Sequence, residues 1–477
     1  GDSIFEEEKQ VDILMQEESD GCLGVKAATL DKLFEFLTSC ECSVFFRKTF
    51  LLTYRSFTDS LTFLSYLTSL YLSSNEEEDG TRSLRVMRIV KNWVDDFVYD
   101  FEEEPDLLNR LISFCSEIEE VKKKGWAAHG ALLEKMIGRV KRKEEEVEDG
   151  GENEGGEATY LFPFNNFSQW TEIEVEKFAS QITLLNFKTY SKITPKEIMN
   201  YVKAKNVEEK KKLCPNVTKV VGQFNELSNW GTTMICRRCQ LKERVAVMSH
   251  LLSLLQKLFD LNNLHGSLAL IATFTNSAVA RLKSSFERLE PQKRNLLVDL
   301  TTRLSHLSSY KAYRNHLHSI APPLVPYIGV YLTDLTFIND GNPDLVEKRL
   351  INFNKCYLVA NVIVENQQYH TPYIYLIADK HMQYSLANGC LETENESENY
   401  RLSKLIEGTD PEIAIESLLK SERALKQKIK KLELQASLCS CSLPSSTHNS
   451  FHSGNWDLGG LGEEREGGGE EDEREEQ

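Results

Sequence analysis

The sequence predicts an all-α protein made of two helical domains, and three observations carry that prediction. Apolar residues recur at three- and four-residue spacing through most of 27–143 and 172–434. Strand-like character is confined to Tyr373, Ile374, Tyr375, Leu376 and Ile377, a run too isolated to make a sheet. Two acidic runs rich in glycine interrupt the periodicity, at 144–157 and 463–477, and they read as a solvated linker and tail. The expected plan is a helical module at 20–143, an acidic linker at 144–170, a second helical domain at 171–436 with a protruding helical hairpin, and a disordered acidic tail at 437–477.

Each element follows from its own pattern. Residues 27–40 read as a helix because Leu30, Leu33, Phe34 and Leu37 share one side and no Gly or Pro interrupts them. One or two helices follow over 44–72. Helices at 83–99 and 106–118 are separated by Glu102, Glu103, Glu104 and Pro105, and 127–143 makes the last helix of the module. The linker lacks hydrophobic anchors, so mobility is expected there. Helical patterning resumes over 174–186, 195–203, 219–231, 241–260, 265–275, 291–304, 311–319, 330–340, 345–368 and 411–435. Beyond 441 the Ser, Gly and Glu content predicts disorder.

Composition narrows the function. The formal net charge is −17, yet 144–157 holds eight acidic residues and no basic one, and 463–477 holds nine against two, so the remainder is close to neutral. A nucleic-acid surface is not expected from that balance. Eleven cysteines, odd in number and scattered through apolar patterns, suit reduced thiols in a cytoplasmic protein. The lone Cys236-Arg237-Arg238-Cys239 lacks the second ligand pair that zinc requires. The opening ten residues are acidic, with neither a positive n-region nor an apolar h-region, so no secretory leader is expected. No Gly-Lys dipeptide occurs, which removes a P-loop, and the G-x-S-x-G, H-E-x-x-H and G-x-G-x-x-G patterns are absent too. Binding rather than covalent catalysis is expected, with no cofactor, no metal and no direct nucleotide binding.

The most informative stretch runs from Pro322 to Pro343. Pro322, Pro323 and Pro326 stiffen its start, while Gly341, Asn342 and Pro343 end it. Between them Tyr331, Leu335 and Ile338 fall on one helical face, and Thr333, Thr336 and Asp340 form a polar stripe on another. A short helix anchored on one side and polar on the other can be pushed into a partner.

The same residues resemble the intruding helix of the Ras-family guanine-nucleotide exchange factors, Pro-Pro-x-x-Pro-aromatic-x-Gly-x-x-Leu-x-Asp/Asn followed by Gly-Asn-Pro. Leu350-Ile351-Asn352-Phe353-Asn354-Lys355 is similar to the family's Leu-Ile-Asn-Phe-x-Lys. Phe50-Leu51-Leu52-Thr53-Tyr54-Arg55-Ser56-Phe57 resembles the Ras exchanger motif module that precedes the catalytic domain, as does the helix bearing Trp93. Phe178 to Tyr190, Glu243-Arg244-Val245-Ala246-Val247-Met248 and Leu261-Asn262-Asn263-Leu264-His265-Gly266 resemble catalytic-domain blocks.

The resemblance implies a guanine-nucleotide exchange factor for a Ras-like small GTPase of the Ras or Rap subfamily, cytoplasmic and recruited through partners to the membrane where the GTPase resides. It implies catalytic roles for Thr336, Asp340 and Asn342. Partner contacts would come from Asn186, Tyr190, Asn276, Ser277, Arg281 and Thr333, and support of the hairpin from Tyr331, Leu335, Leu350, Ile351 and Phe353. Ser191 stands where many members carry Arg, and Thr275-Asn276-Ser277-Ala278-Val279-Ala280-Arg281-Leu282 resembles the family's Asn-Ser-x-x-x-x-Arg-Leu but is one residue shorter. Capping of a helix end is an equal explanation for Asn276 and Ser277. A GTPase-binding adaptor without exchange activity, or a plain helical scaffold, are the alternatives.

Overall fold

The computed structural model describes residues 11–17, 23–73, 80–121, 126–149 and 173–407, with the side chains of Glu17, Leu23, Gly80, Val202 and 141–149 excepted. The amino-terminal part is a helical module: α1 (Leu30–Thr38), α2 (Val44–Thr53), α3 (Ser60–Ser73), α4 (Gly80–Asp96), α5 (Val98–Glu103), α6 (Pro105–Val121) and α7 (Trp126–Asp149). The second part runs α8 (Val175–Tyr190), α9 (Pro195–Lys203), α10 (Val207–Leu213), α11 (Pro215–Cys236), α12 (Leu241–Asp260), α13 (Leu264–Thr275), α14 (Ser277–Ala280), α15 (Lys283–Arg288), α16 (Pro291–Arg303), α17 (Leu307–Ser319), α18 (Ile328–Gly341), α19 (Phe353–Gln367), α20 (Lys380–Ala387) and α21 (Glu396–Ile406). Helices dominate both parts, as the periodicity predicts. The expected helix over 411–435, the tail and most of the linker lie outside the described residues.

Strands are the departure. β1 (Ile13–Glu17) and β2 (Leu23–Ala28) form an antiparallel ribbon, and β3 (Leu345–Val346) and β4 (Leu350–Ile351) a small hairpin, joined in the order β1-β2-β4-β3 through the pair Ala28↔Ile351. The helix expected to begin at Ala27 therefore starts at Leu30, and the helix expected over 345–368 starts at Phe353. Local propensity favours helix at both places; long-range pairing overrides it. The hairpin turn places Glu347 and Lys348 at φ 51° and 63°, with the Arg349 N–H donating to the Val346 carbonyl at 3.2 Å. Residues 373–377 form a turn rather than a strand, and leave Ile374 and Ile377 almost fully exposed.

The amino-terminal module is held by an aromatic core. Phe63 lies 5.0 Å from Phe50, 5.5 Å from Tyr54 and 4.7 Å from Trp93, ring centre to ring centre, and Trp93 is 5.2 Å from Phe101. Inside it the Asp100 carboxylate accepts from Tyr54 Oη at 2.7 Å and Trp93 Nε1 at 2.8 Å, and pairs with Arg55 at 2.9 Å. Arg55 also reaches Glu104 at 3.0 Å. The family-like octapeptide thus builds a carboxylate clamp around Arg55, Asp100 and Glu104. Each partner satisfies a group that would be costly to bury alone.

Candidate functional site

Helix α18 is the centre of the site. Ile328, Val330, Tyr331, Leu332 and Leu335 are buried, while Thr333, Thr336, Phe337, Asn339 and Asp340 face solvent. Successive residues turn by 100°, so this division gives the helix one anchored and one free face. The hydroxyls of Thr333 and Thr336 donate to the carbonyls of Gly329 and Leu332, both at 2.8 Å, and their remaining lone pairs stay open. Asp340 has an exposed carboxylate. Phe337, 70% exposed, is the largest apolar group on the free face and did not stand out in the sequence. Asn342 donates one amide N–H to the Ile338 carbonyl at 2.9 Å, so it closes the helix and keeps its side-chain oxygen and its second N–H for a partner.

The start of the helix is fixed by directional bonds. Val325 donates its N–H to the Asn262 carbonyl at 3.0 Å and accepts from the His265 N–H at 3.2 Å. Asn262 adopts φ 56°, a conformation that asparagine tolerates better than most residues. Beside it, fully buried Asn263 accepts from the Gly266 N–H at 2.9 Å and donates to Thr183 and Asn186, both at 3.1 Å. The chain continues from Asn186 to Gln223 at 3.2 Å and from Gln223 to Thr189 at 2.9 Å. Gly266 cannot carry a side chain here without moving something, because a Cβ would stand 3.0 Å from Asn263 Nδ2 and 3.2 Å from Leu258. His265, between the rings of Phe224 and Tyr327, is held down to a pKa of about 4 by burial.

Asn186 and Tyr190 were expected at the partner surface and are not there. Asn186 is 4% exposed and belongs to the chain just described; Tyr190 is 0% exposed and donates to the Asn366 carbonyl at 2.9 Å. Both lie on the inward face at the end of α8, whose outward face there carries Lys188. Asn276 is half-buried and caps α14 by accepting from the Ala278 N–H at 2.9 Å, Ser277 is exposed, and Arg281 is turned toward the carbonyls of Ser403 and Glu407 at 2.6 and 3.2 Å. Arg244, 3% exposed, binds the carbonyls of Arg238 and Cys239 and the Ser285 hydroxyl.

Behind α18, the expected supports divide. Tyr331 and Leu335 are buried on the helix itself, and Leu335 and Ile351 line a cavity of about 60 Å³ together with Phe57, Met199 and Cys356. Leu350 is fully buried. Phe353, expected to back α18 directly, instead stacks on Phe46 at 4.5 Å, with Phe50 and Phe57 at 6.4 Å. It fastens the returning helix to the amino-terminal module. Two ties were not expected: Arg314 Nη2 donates to both carboxylate oxygens of Asp334, at 2.7 and 2.8 Å, joining α18 to α17, and Lys355 binds Asn339 at 3.0 Å and Asp344 at 2.7 Å. Neither pairing has a local sequence signal.

Comparison with known proteins agrees with this architecture. A RasGEF domain model matches 177–357, and a RasGEF N-terminal motif model matches 24–114. Ras guanine nucleotide exchange factor A of Dictyostelium discoideum is 33% identical over 349 residues, 71% of this chain and 57% of the relative. Ras guanine nucleotide exchange factor W of the same organism is 30% identical over 410 residues, 78% of this chain and 34% of the relative. Protein son of sevenless of Drosophila melanogaster is 28% identical over 410 residues, 76% and 25% respectively. The chain spans about half the length, or less, of the curated relatives it matches. No helix among the described residues is long and apolar enough to cross a membrane. With the amino-terminal motif and the catalytic domain matched in order, and each resting on an aromatic or polar framework of its own, this chain carries a RasGEF domain preceded by a RasGEF N-terminal motif.

Proposed function

We propose that this chain promotes GDP release from a Ras-like small GTPase of the Ras or Rap subfamily by inserting α18 between the GTPase's nucleotide-sensing segments. The observation that carries the reading is the two-faced helix: its buried side is locked, and Thr333, Thr336, Phe337 and Asp340 remain free to enter a partner. A GTPase that holds GDP at picomolar affinity binds it with about 16 kcal/mol. Accelerating release ~10⁵-fold lowers the barrier by ~7 kcal/mol. Asp340 brings negative charge toward the phosphates and the carboxylates that hold magnesium, weakening both, and Thr336 crowds the metal position less than a leucine would. Binding of the exchange factor and of the nucleotide then weaken each other reciprocally. The working place of the chain is the cytoplasmic face of the membrane that carries the GTPase.

Internal use of Asn276 and Arg281 favours a second reading, a GTPase-binding adaptor, because two expected contacts are occupied within the chain. Stopped-flow release of fluorescent GDP from a panel of Ras, Rap and Ral proteins, with substoichiometric chain, separates the two. Exchange requires turnover. Asp340→Ala is expected to retain binding of the nucleotide-free GTPase while slowing release by about tenfold or more; unchanged release removes the charge role.

A further inference from the structure

An acidic chain carries a strongly basic corner. Residues 188–219 contain nine lysines (188, 192, 196, 203, 205, 210, 211, 212 and 219), three glutamates, and no arginine or aspartate, a net charge of 9 − 3 = +6 in a chain of −17. Three of the four helices that carry them, α9, α10 and α11, are clamped together. The Glu197 carboxylate, 7% exposed, accepts from Asn216 Nδ2 at 2.7 Å and the Val217 N–H at 3.0 Å, Asn216 also donates to the Lys192 carbonyl, and Thr218 donates to the Lys210 carbonyl. Glu197 therefore adds little charge outside. Seven of the lysines are exposed, and Lys188, Lys192, Lys203, Lys205, Lys212 and Lys219 form no ion pair among the described residues. Lys196 pairs with Glu103 and Lys211 with exposed Glu208, while Lys210 lies over the Tyr201 ring at 4.1 Å. Val207 and Leu213, at the two ends of α10, are 64% and 39% exposed.

We propose that this corner is a docking surface for an anionic lipid bilayer. Unpaired ammonium groups beside exposed aliphatic side chains combine long-range attraction with shallow burial, the two contributions that hold a protein at a bilayer surface. Lysine without arginine suits diffuse attraction to headgroups, whereas phosphate and nucleic-acid recognition uses arginine forks. Lys210 already covers Tyr201, which leaves that ring poorly placed as a platform for stacking bases. Lys203 also lines the cavity behind Leu335 and Asn339, so a bilayer held at this corner would fix the orientation of α18.

The test is sedimentation of the whole chain with extruded phosphatidylcholine vesicles, with and without about 30% phosphatidylserine, at about 0.1 M and about 0.5 M NaCl. Binding is expected only with phosphatidylserine and is expected to weaken sharply at the higher salt. Each lysine contributes about fivefold, so the quadruple variant K205E/K211E/K212E/K219E is expected to lose at least about a hundredfold in partitioning. The same variant should release GDP from a soluble GTPase as the parent chain does, so that loss of docking and loss of exchange read separately. No binding, equal binding to neutral vesicles, or equal binding by the variant overturns the proposal. Capture by poly(U) without capture by vesicles also overturns it, and makes the corner a polynucleotide surface.

Discussion

The two ends of α18 are supported by opposite kinds of physics. At its start, Asn262, Asn263 and Val325 exchange hydrogen bonds, and the chain through Asn186, Gln223 and Thr189 holds them in place. Beyond its end, Phe353 ties the returning helix into rings from Phe46, Phe50 and Phe57. Hydrogen bonds fix direction and tolerate little substitution. Ring packing fixes position through area and accepts any side chain of similar volume. The contrast teaches where precision is needed: the angle at which the helix leaves its scaffold is set by polar atoms, and its distance from the module is set by bulk.

Four measurements can break that contrast, taken from the largest expected effect downward. Phe353→Ala is expected to cost about 3–5 kcal/mol in urea unfolding, and Phe353→Leu less than about 1.5 kcal/mol, because the ring pocket asks for volume. Equal losses would show that the aromatic end is as exacting as the polar one. Next comes pH. Burial holds the folded His265 near pKa 4, below the ordinary value of 6.5, so the unfolded chain binds the extra proton first. Stability is complete above about pH 6.5 and falls by up to about 3 kcal/mol as pH drops toward 4. His265→Gln should flatten that part of the urea midpoint against pH; an unchanged slope assigns it to other groups.

Smaller, but more diagnostic, is Asn263. Asn263→Ala strands Thr183, Asn186 and the Gly266 N–H and is expected to cost about 2 kcal/mol. Asn263→Asp keeps the volume and the acceptor yet should still destabilise, since the donor to Asn186 is gone. A neutral Asn263→Asp would refute the directional account of this end. The smallest effect is a gain. Glu347 and Lys348 sit at positive φ in the β3–β4 turn, and replacing them with Asn-Gly is expected to add about 1 kcal/mol. A loss instead would mean that these side chains contribute contacts that outweigh their backbone strain.

Legibility in the sequence follows the same divide. Helices with a clear 3.6-residue period, such as α12 and α18, lie close to where the pattern places them, because burial on one face dictates both pattern and structure. The two-faced nature of α18 was readable from Thr333, Leu335, Thr336 and Asp340 alone. Hidden from sequence were features made by distant partners. β2 looks helical through Ala27 and Ala28 until Ile351 pairs with it. Phe353 reads as support for the neighbouring helix because its ring partners come some 300 residues earlier. Asn186 and Tyr190 pass for surface groups because the direction of a helix end is a tertiary property.

The stack of Phe353 on Phe46 also sets a timetable for synthesis. A ribosome makes the aromatic module first, and Phe46 and Phe50 wait for a ring encoded about 300 residues downstream, roughly 15–60 s at ordinary translation speeds. Throughout that interval the nascent module presents an uncovered greasy edge, which makes it a natural client for chaperones that shield unfinished chains. Only when Phe353 emerges does the edge close, so the last step in maturing the module is the arrival of the segment it serves.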